Sequence, residues 1–335
     1  MKKILITGGA GSIGINVISH IMQNTDWEVV ILDSFRHKGY RDRISRVLKD
    51  NPEWGVRIKD FQHDLVCPIS PALAKEIGEI TYILHLAALS DVFFSVDNPV
   101  YTIQNNVNST LMILEYARIA KPEQFIYFST DEVYGPVRKG EKHSEWEPHK
   151  PSNAYAASKA ACEDICYSYW RSYGLPLIIT NTMNNFGIMQ SSSKFPVMVQ
   201  KKVEKGETVI IHGNEQEIGT RFYIDSRIAA EALLFIISKG APQHIIGAID
   251  QPFRYNIVGQ AALSNLELAQ MIADIMGKEL KYELQDFHKD NPAHDIHYGL
   301  DGSKLEVYGF KPSKDLKACL AEVIKWQQEN QEWIN

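Results

Sequence analysis

Long hydrophobic runs are missing from this sequence. Nowhere do apolar residues approach the roughly 20 in succession that span a bilayer, so no membrane span is expected. A basic excess is missing too. Lys and Arg number 35 against 41 Asp and Glu, a formal net charge of −6. Such a balance gives no general attraction for nucleic acid or an anionic membrane surface, and an anionic ligand would need positive charge supplied locally. Cysteine is scarce, with four residues: Cys67, Cys162, Cys166 and Cys319. Cys162 and Cys166 stand i, i+4 in a helical pattern, but no second pair follows at zinc-like spacing, and disulfide frameworks belong to secreted chains. Reduced, buried thiols are the expectation. No repeat or low-complexity tract appears. The opening "MKKILITGGAGSIG" begins with lysines, yet its apolar run at 4–6 is too short for a signal-peptide core and runs into glycines. The expectation is therefore a cytoplasmic chain without a targeting segment.

What is present fits one large domain or two, with 335 residues and 44% hydrophobic content. Short β-rich runs read as strands at 3–7, 28–33, 56–61, 82–87, 125–130 and 176–181, with helical patterns between them, such as 13–23 and 101–119. This alternation, with continuous apolar strands, predicts an α/β fold whose parallel sheet is covered on both faces. After Asn185 the texture changes. An amphipathic helix is expected at 265–278 and a C-terminal helix at "LKACLAEVIKWQQEN". The reading is a first domain over 1–185, rejoined by a strand and helix over about 221–258. A smaller α/β substrate domain would comprise 186–220 and 259–335.

"TGGAGSIG" follows the first strand and opens the first helix. Gly8, Gly11 and Gly14 let the chain turn tightly and bring backbone N–H groups to a pyrophosphate at a helix N-terminus. A glycine pattern alone is weak, but here a strand precedes it, a helix follows it, and an acid ends the next strand. That acid, Asp33, stands 19 positions after Gly14. Its carboxylate can bind a ribose diol and repel a 2′-phosphate, which favours NAD over NADP. Arg36 and Lys38 follow closely and leave NADP open.

"SNAYAASKAACED" sets Tyr155 and Lys159 four residues apart, on one helical face. A phenol titrates near about 10 and is a poor base at neutral pH. A nearby ammonium and a positively charged nicotinamide ring would favour the phenolate, which could take a hydroxyl proton while hydride leaves the same carbon. Upstream, "FSTDEVYG" at 128–135 ends a strand with Ser129, Thr130, Asp131 and Glu132 side by side. A solvated turn, a helix cap, a metal site and acid/base machinery are the alternatives. No histidine or further acid sits nearby in sequence to favour a metal.

Taken together, the 8-11-14 glycines, "HLAA" at 85–88, the Thr130 strand end and Tyr155-x-x-x-Lys159 resemble the extended short-chain dehydrogenase/reductase superfamily. "STDEVYG", "NAYAASKA", "TNTMNNFG" and "HDIHYGLD" look most like its nucleotide-sugar 4,6-dehydratases, of the dTDP-glucose type. The resemblance runs along nearly the whole chain. It implies a Rossmann-type doubly wound sheet with NAD as cofactor, held by Gly8, Gly11, Ser12, Ile13, Gly14, Asp33, Asp64, Leu65, Leu86, Ala87, Ala88, Tyr155 and Lys159. It further implies that Tyr155, helped by Thr130, takes the O4 proton during oxidation at C4. The new ketone acidifies C5; Glu132 is then the C5 base and Asp131 the acid that protonates the departing C6 hydroxyl. Hydride returns to C6. Adjacent acids can be pushed apart in pKa by repulsion and unequal burial. A 4-epimerase or a uronic-acid decarboxylase of the same superfamily is the second reading; the acid pair, which a simple 4-epimerase does not need, argues against it. A catalytically silent nucleotide sensor is a third. A homodimer through helices at about 99–120 and 155–173 is implied as well.

The chain departs from the dehydratase pattern in two places. Leu89, Asp91, Phe93 and Phe94 stand where that family is typically polar and charged. Asn291 and His297 stand where arginines are usual. Expected contacts to the nucleotide sugar are Ser90, Thr130, Asn185 and Tyr298, with Lys194, Arg221, Arg254 and His294 as candidates for its diphosphate. Thymidine, uridine, guanosine and cytidine all remain open.

Overall fold

The computed structural model describes residues 1–37, 39–240, 251–286, 291 and 293–333. Its strands are β1 (Lys3–Thr7), β2 (Glu28–Asp33), β3 (Ile58–Gln62), β4 (Tyr82–His85), β5 (Gln124–Thr130), β6 (Leu177–Thr182), β7 (Asn184–Phe186), β8 (Val209–His212), β9 (Thr220–Asp225), β10 (Phe253–Ile257), β11 (Ala262–Ser264) and β12 (Tyr282–Gln285). The helices are α1 (Ser12–Asn24), α2 (Tyr40–Asp50), α3 (Pro71–Ile77), α4 (Val92–Asp97), α5 (Pro99–Ala120), α6 (Ala154–Tyr173), α7 (Phe195–Lys205), α8 (Ser226–Lys239), α9 (Asn265–Met276), α10 (Ser303–Val307) and α11 (Leu316–Glu329).

Seven strands form one parallel sheet in the order β10-β6-β5-β4-β1-β2-β3. Strand order reverses between β1 and β4, and the crevice beyond the carboxyl ends of such strands is where doubly wound sheets bind ligands. Both faces are apolar because successive side chains alternate. Ile4, Ile6, Val29 and Ile31 pack toward α1 and α8, whereas Leu5, Val30, Leu32 and Tyr127 pack toward α5 and α6. Burying each such Leu or Ile contributes about 2 kcal/mol. The first of these clusters continues through Val203 on α7, Leu268 on α9 and Leu320 on α11, so the C-terminal part shares a core with the sheet.

Smaller sheets roof the carboxyl edge. One has the order β11-β9-β7 and the other pairs β12 with β8. Here the structure corrects two expectations. The strand expected to rejoin the first domain from about 221 is β9, and it pairs instead with β7 and β11. The return begins at α8 and continues with β10, which pairs β6. "RFYID" is apolar enough for either sheet, and only tertiary pairing decides. Among the thiols, Cys162, Cys166 and Cys319 are buried, but Cys67 is exposed beyond the end of β3. No helix among the described residues is long and apolar enough to cross a membrane.

Candidate active site

A cleft of about 300 Å³ opens along the carboxyl edge of the large sheet, from the first turn to the roof. One end is the glycine turn. Gly8 has φ +67, and a Cβ there would lie 2.8 Å from the Ala87 backbone; at Gly14 it would lie 2.5 Å from Gly8 O. Only glycine lets the turn close on itself and on the loop after β4. Gly11 caps α1 without a side-chain bond, which leaves the helix's first N–H groups for an anion. A Cβ at Gly11 would meet only Gly8 O, at 3.2 Å, and otherwise fill cleft space. The cradle therefore fits a dinucleotide pyrophosphate.

Ser12, Ile13, Asp64, Leu65, Leu86, Ala87 and Ala88 line this end with the glycines and Asp33. Asp33 accepts from Ala10 N at 3.1 Å and Phe35 N at 2.9 Å. Burial raises its pKa against those bonds. Arg36 is committed elsewhere: its guanidinium donates to Tyr101 Oη at 3.0 Å and Asn105 Oδ1 at 2.9 Å and pairs with Asp64 at 3.5 Å. It is not the loose cation a 2′-phosphate would want. Lys38, the second such cation, lies outside the described residues. His85 beneath the cradle bridges Thr7 Oγ1 at 2.6 Å and Thr110 Oγ1 at 3.1 Å. Burial, with Lys159, drops it to about 3, so it stays neutral and structural.

Thr130, Asp131, Glu132, Tyr155 and Lys159 meet at the middle of the cleft, with Ser90 beside them. Thr130 ends β5, and its Oγ1 caps a 3₁₀ turn, Asp131–Tyr134, by accepting from Glu132 N at 3.4 Å. The cap reading of "FSTDEVYG" is thus correct for Thr130. Asp131 is buried and Glu132 half-buried, and the two have unequal surroundings. Thr130 Oγ1 donates to Asp131 Oδ1 at 3.0 Å, while Asp131 Oδ2 is buried without a partner. Burial and the neighbouring Glu132 push the Asp131 carboxyl up to about 7. Burial raises Glu132 as well, but Asn153, Arg221 and Lys194 oppose it. One carboxyl is therefore poised to hold a proton near neutrality beside another whose ionised form is favoured by an amide donor and nearby cations.

Tyr155 is buried beside the acids. Burial, then Glu132, hold its phenol well above the ordinary range, opposed by its bond to Thr130. The Lys159 ammonium donates to Phe128 O at 2.8 Å and lies 4.2 Å from the Tyr127 ring centroid. Lowering the phenol thus calls for more positive charge than the buried lysine gives, which a cationic nicotinamide ring would supply.

On the substrate side Asn185 and Lys194 line the cleft, and Arg221, Arg254, His294 and Tyr298 do not. Arg221 donates to three carbonyls, of Thr220, Ile296 and Asp295, and its guanidinium carbon lies 4.4 Å from the Tyr298 ring centroid. Arg254 is buried at 3% exposure and paired with Glu163 at 2.6 Å. His294 packs tilted against Phe93, ring centroids 4.3 Å apart. His297 is buried between Thr220 Oγ1 at 2.8 Å and Glu217 Oε1 at 2.9 Å. Sequence reasoning missed Asn153, whose Nδ2 donates to Glu132 Oε2 at 3.0 Å. Its position as an N-cap two residues before Tyr155 was the available signal.

Comparison with known proteins adds a family. A profile described as GDP-mannose 4,6 dehydratase matches residues 5–323. A dTDP-glucose 4,6-dehydratase of Escherichia coli is 31% identical, covering 99% of this chain and 95% of its own. The dTDP-glucose 4,6-dehydratase DesIV of Streptomyces venezuelae, solved with NAD bound, superposes with a TM-score of 0.85 at 27% identity over 99% of this chain and 98% of its own. A Bacillus cereus UDP-glucuronic acid 4-epimerase also reaches 0.85, at 22% identity over 98% of this chain and 99% of its own, a likeness of fold alone.

Proposed function

The chain belongs to the GDP-mannose 4,6 dehydratase family and is an NAD-dependent nucleotide-sugar dehydratase; from that premise we propose that it converts an NDP-hexose to an NDP-4-keto-6-deoxyhexose. NAD, when bound, supplies a reversible hydride acceptor. Tyr155, with Thr130 beside it, takes the O4 proton as C4 is oxidised. Lys159, one helical turn on, places positive charge behind the phenol. Glu132 removes the C5 proton that the new ketone has acidified. Asp131 gives its proton to the C6 hydroxyl, which leaves as water. Reduction at C6 and protonation at C5 complete the cycle. Lys194, at the N-terminus of α7, is the cleft cation assigned to the sugar's diphosphate.

The observation that carries this reading is the unequal acid pair: Asp131, raised to about 7 with a free buried oxygen, beside Glu132 held by Asn153. A simple 4-epimerase does not need it. Purified protein with NAD should convert a nucleotide-activated hexose with loss of water by mass spectrometry. The dTDP-sugar is tried first, because relatives are named for it. No loss of water from dTDP-, UDP-, GDP- or CDP-hexoses would sink the proposal. Deuterium from solvent should enter at C5, which simple 4-epimerisation does not produce.

We also assign self-association to α5 and α6. They pack on one another and leave Val100, Tyr101, Ile103, Ile119, Tyr167 and Tyr173 exposed. Sedimentation should give a dimer.

A further inference from the structure

Glu163 follows Tyr155 and Lys159 at the same four-residue interval on α6, yet it does not line the cleft. Its side chain has no solvent exposure. Three groups satisfy it: Arg254 Nη2 at 2.6 Å and His149 Nε2 at 3.0 Å on Oε2, and Asn181 Nδ2 at 2.7 Å on Oε1. Two of these lead to the 130–134 turn. Asn181 Nδ2 also donates to Thr130 O at 3.0 Å, at the start of the turn. Arg254 Nη1 donates to Tyr134 Oη at 2.8 Å, at its end. One buried carboxylate thus ties down both ends of the segment that bears Asp131 and Glu132. It does so from the helix that bears Tyr155 and Lys159.

A buried ion pair is weak evidence for stability, since well-packed apolar residues often serve as well. Its geometry here points to another use. We propose that Glu163 is a positioning residue, holding the 130–134 turn so that the elimination carboxylates stay in register with the redox pair. The inference rests on the dehydratase reading for its effect on turnover, but the tie itself is independent of the reaction.

Two variants test it. Glu163→Gln keeps the shape and removes the charge. Tyr134→Phe cuts the far link, together with the hydroxyl's own bonds to Glu145 O at 2.9 Å and Asn181 Oδ1 at 3.4 Å, and guards against a Glu163 variant that fails to fold. In the NAD-loaded enzyme, backbone amides of 130–134 should exchange faster in both variants, by hydrogen-exchange mass spectrometry. Turnover should fall roughly tenfold to a hundredfold with KM within about twofold, as expected for reacting groups displaced by a fraction of an ångström. Glu163→Asp, which restores the charge, should recover part of the rate. Unchanged exchange in a folded variant overturns the proposal whatever reaction the enzyme performs. Faster exchange with unchanged kcat overturns the claim that the register matters. A wild-type enzyme that releases no water overturns the dehydratase reading alone.

Discussion

Asn153 joins two parts of the site with one side chain: Oδ1 accepts from Ala156 N at 2.8 Å and caps α6, while Nδ2 donates to Glu132 Oε2 at 3.0 Å. The start of the helix that carries Tyr155 is thereby bonded to the proposed C5 base. Because this bond favours the ionised carboxylate, losing it should raise the Glu132 pKa further. Asn153→Ser retains a capping oxygen, so stability should change by less than about 1 kcal/mol. The acidic limb of the pH–rate profile should nevertheless move to higher pH. An unshifted limb in the folded variant would remove Asn153 from the catalytic account.

Asp131 makes a prediction about stability. Its native pKa, about 7, lies above the ordinary carboxyl value of 3.8. A raised native pKa means that the folded state holds a proton the unfolded state releases. The group's contribution is therefore fully present at acid pH and is lost as pH rises through about 7. Asp131→Asn should leave stability little changed at pH 4 and increase it by on the order of 2–4 kcal/mol at pH 8. Thermal melts at the two pH values check this. The same variant has no acidic proton to give O6, so turnover should fall by at least about a hundredfold.

Tyr155→Phe should abolish the first oxidation, seen as no reduced cofactor on adding sugar. Glu132→Gln should permit oxidation and stall elimination, so that reduced cofactor builds up. Full turnover in either variant would contradict the assigned roles.

Asp33 is buried at the cradle, bonded to two backbone N–H groups. Asp33→Ala should weaken NAD binding roughly tenfold to a hundredfold, as for the loss of charge-assisted hydrogen bonds. The preference for NAD over NADP should shrink with it. Titrating both cofactors against the variant decides; an undiminished preference would place selectivity elsewhere.

Gly14→Ala would put a methyl group 2.5 Å from Gly8 O and 2.7 Å from Gly9 Cα, both backbone atoms that cannot swing away. A loss of at least about 2 kcal/mol is expected, with weaker cofactor binding. A Gly11→Ala variant, tight only against Gly8 O at 3.2 Å, should keep its stability better and lose cofactor affinity instead.

Local pattern served well wherever an element buries a complete face. The strand read at 3–7 is β1, and the helix read at 101–119 lies within α5. Continuous apolar runs and glycine turns carry that information in a few adjacent residues. Arg254 was a different matter. A lone arginine on a strand advertises a cation but says nothing of its partner, and here the partner is Glu163 on α6 rather than an incoming phosphate. Arg221 likewise spends its donors on three carbonyls that only the folded roof brings within reach. The Tyr155 phenol illustrates a third limit. Y-x-x-x-K spacing suggests mutual activation, but how deeply the pair is buried, and that Glu132 faces it, emerges only in three dimensions.

The turn that bears the acids is fastened at both ends to β6, β10 and α6, all parts of the large sheet and its covering. Asn185, on β7 of a small sheet, and Lys194, at the start of α7, line the same cleft from outside the large sheet. If the turn is held as proposed, admission of a bulky sugar nucleotide falls to the part of the cleft built with the small sheets. The enzyme can change which molecule it admits by altering that part and leave the order of its chemical steps untouched.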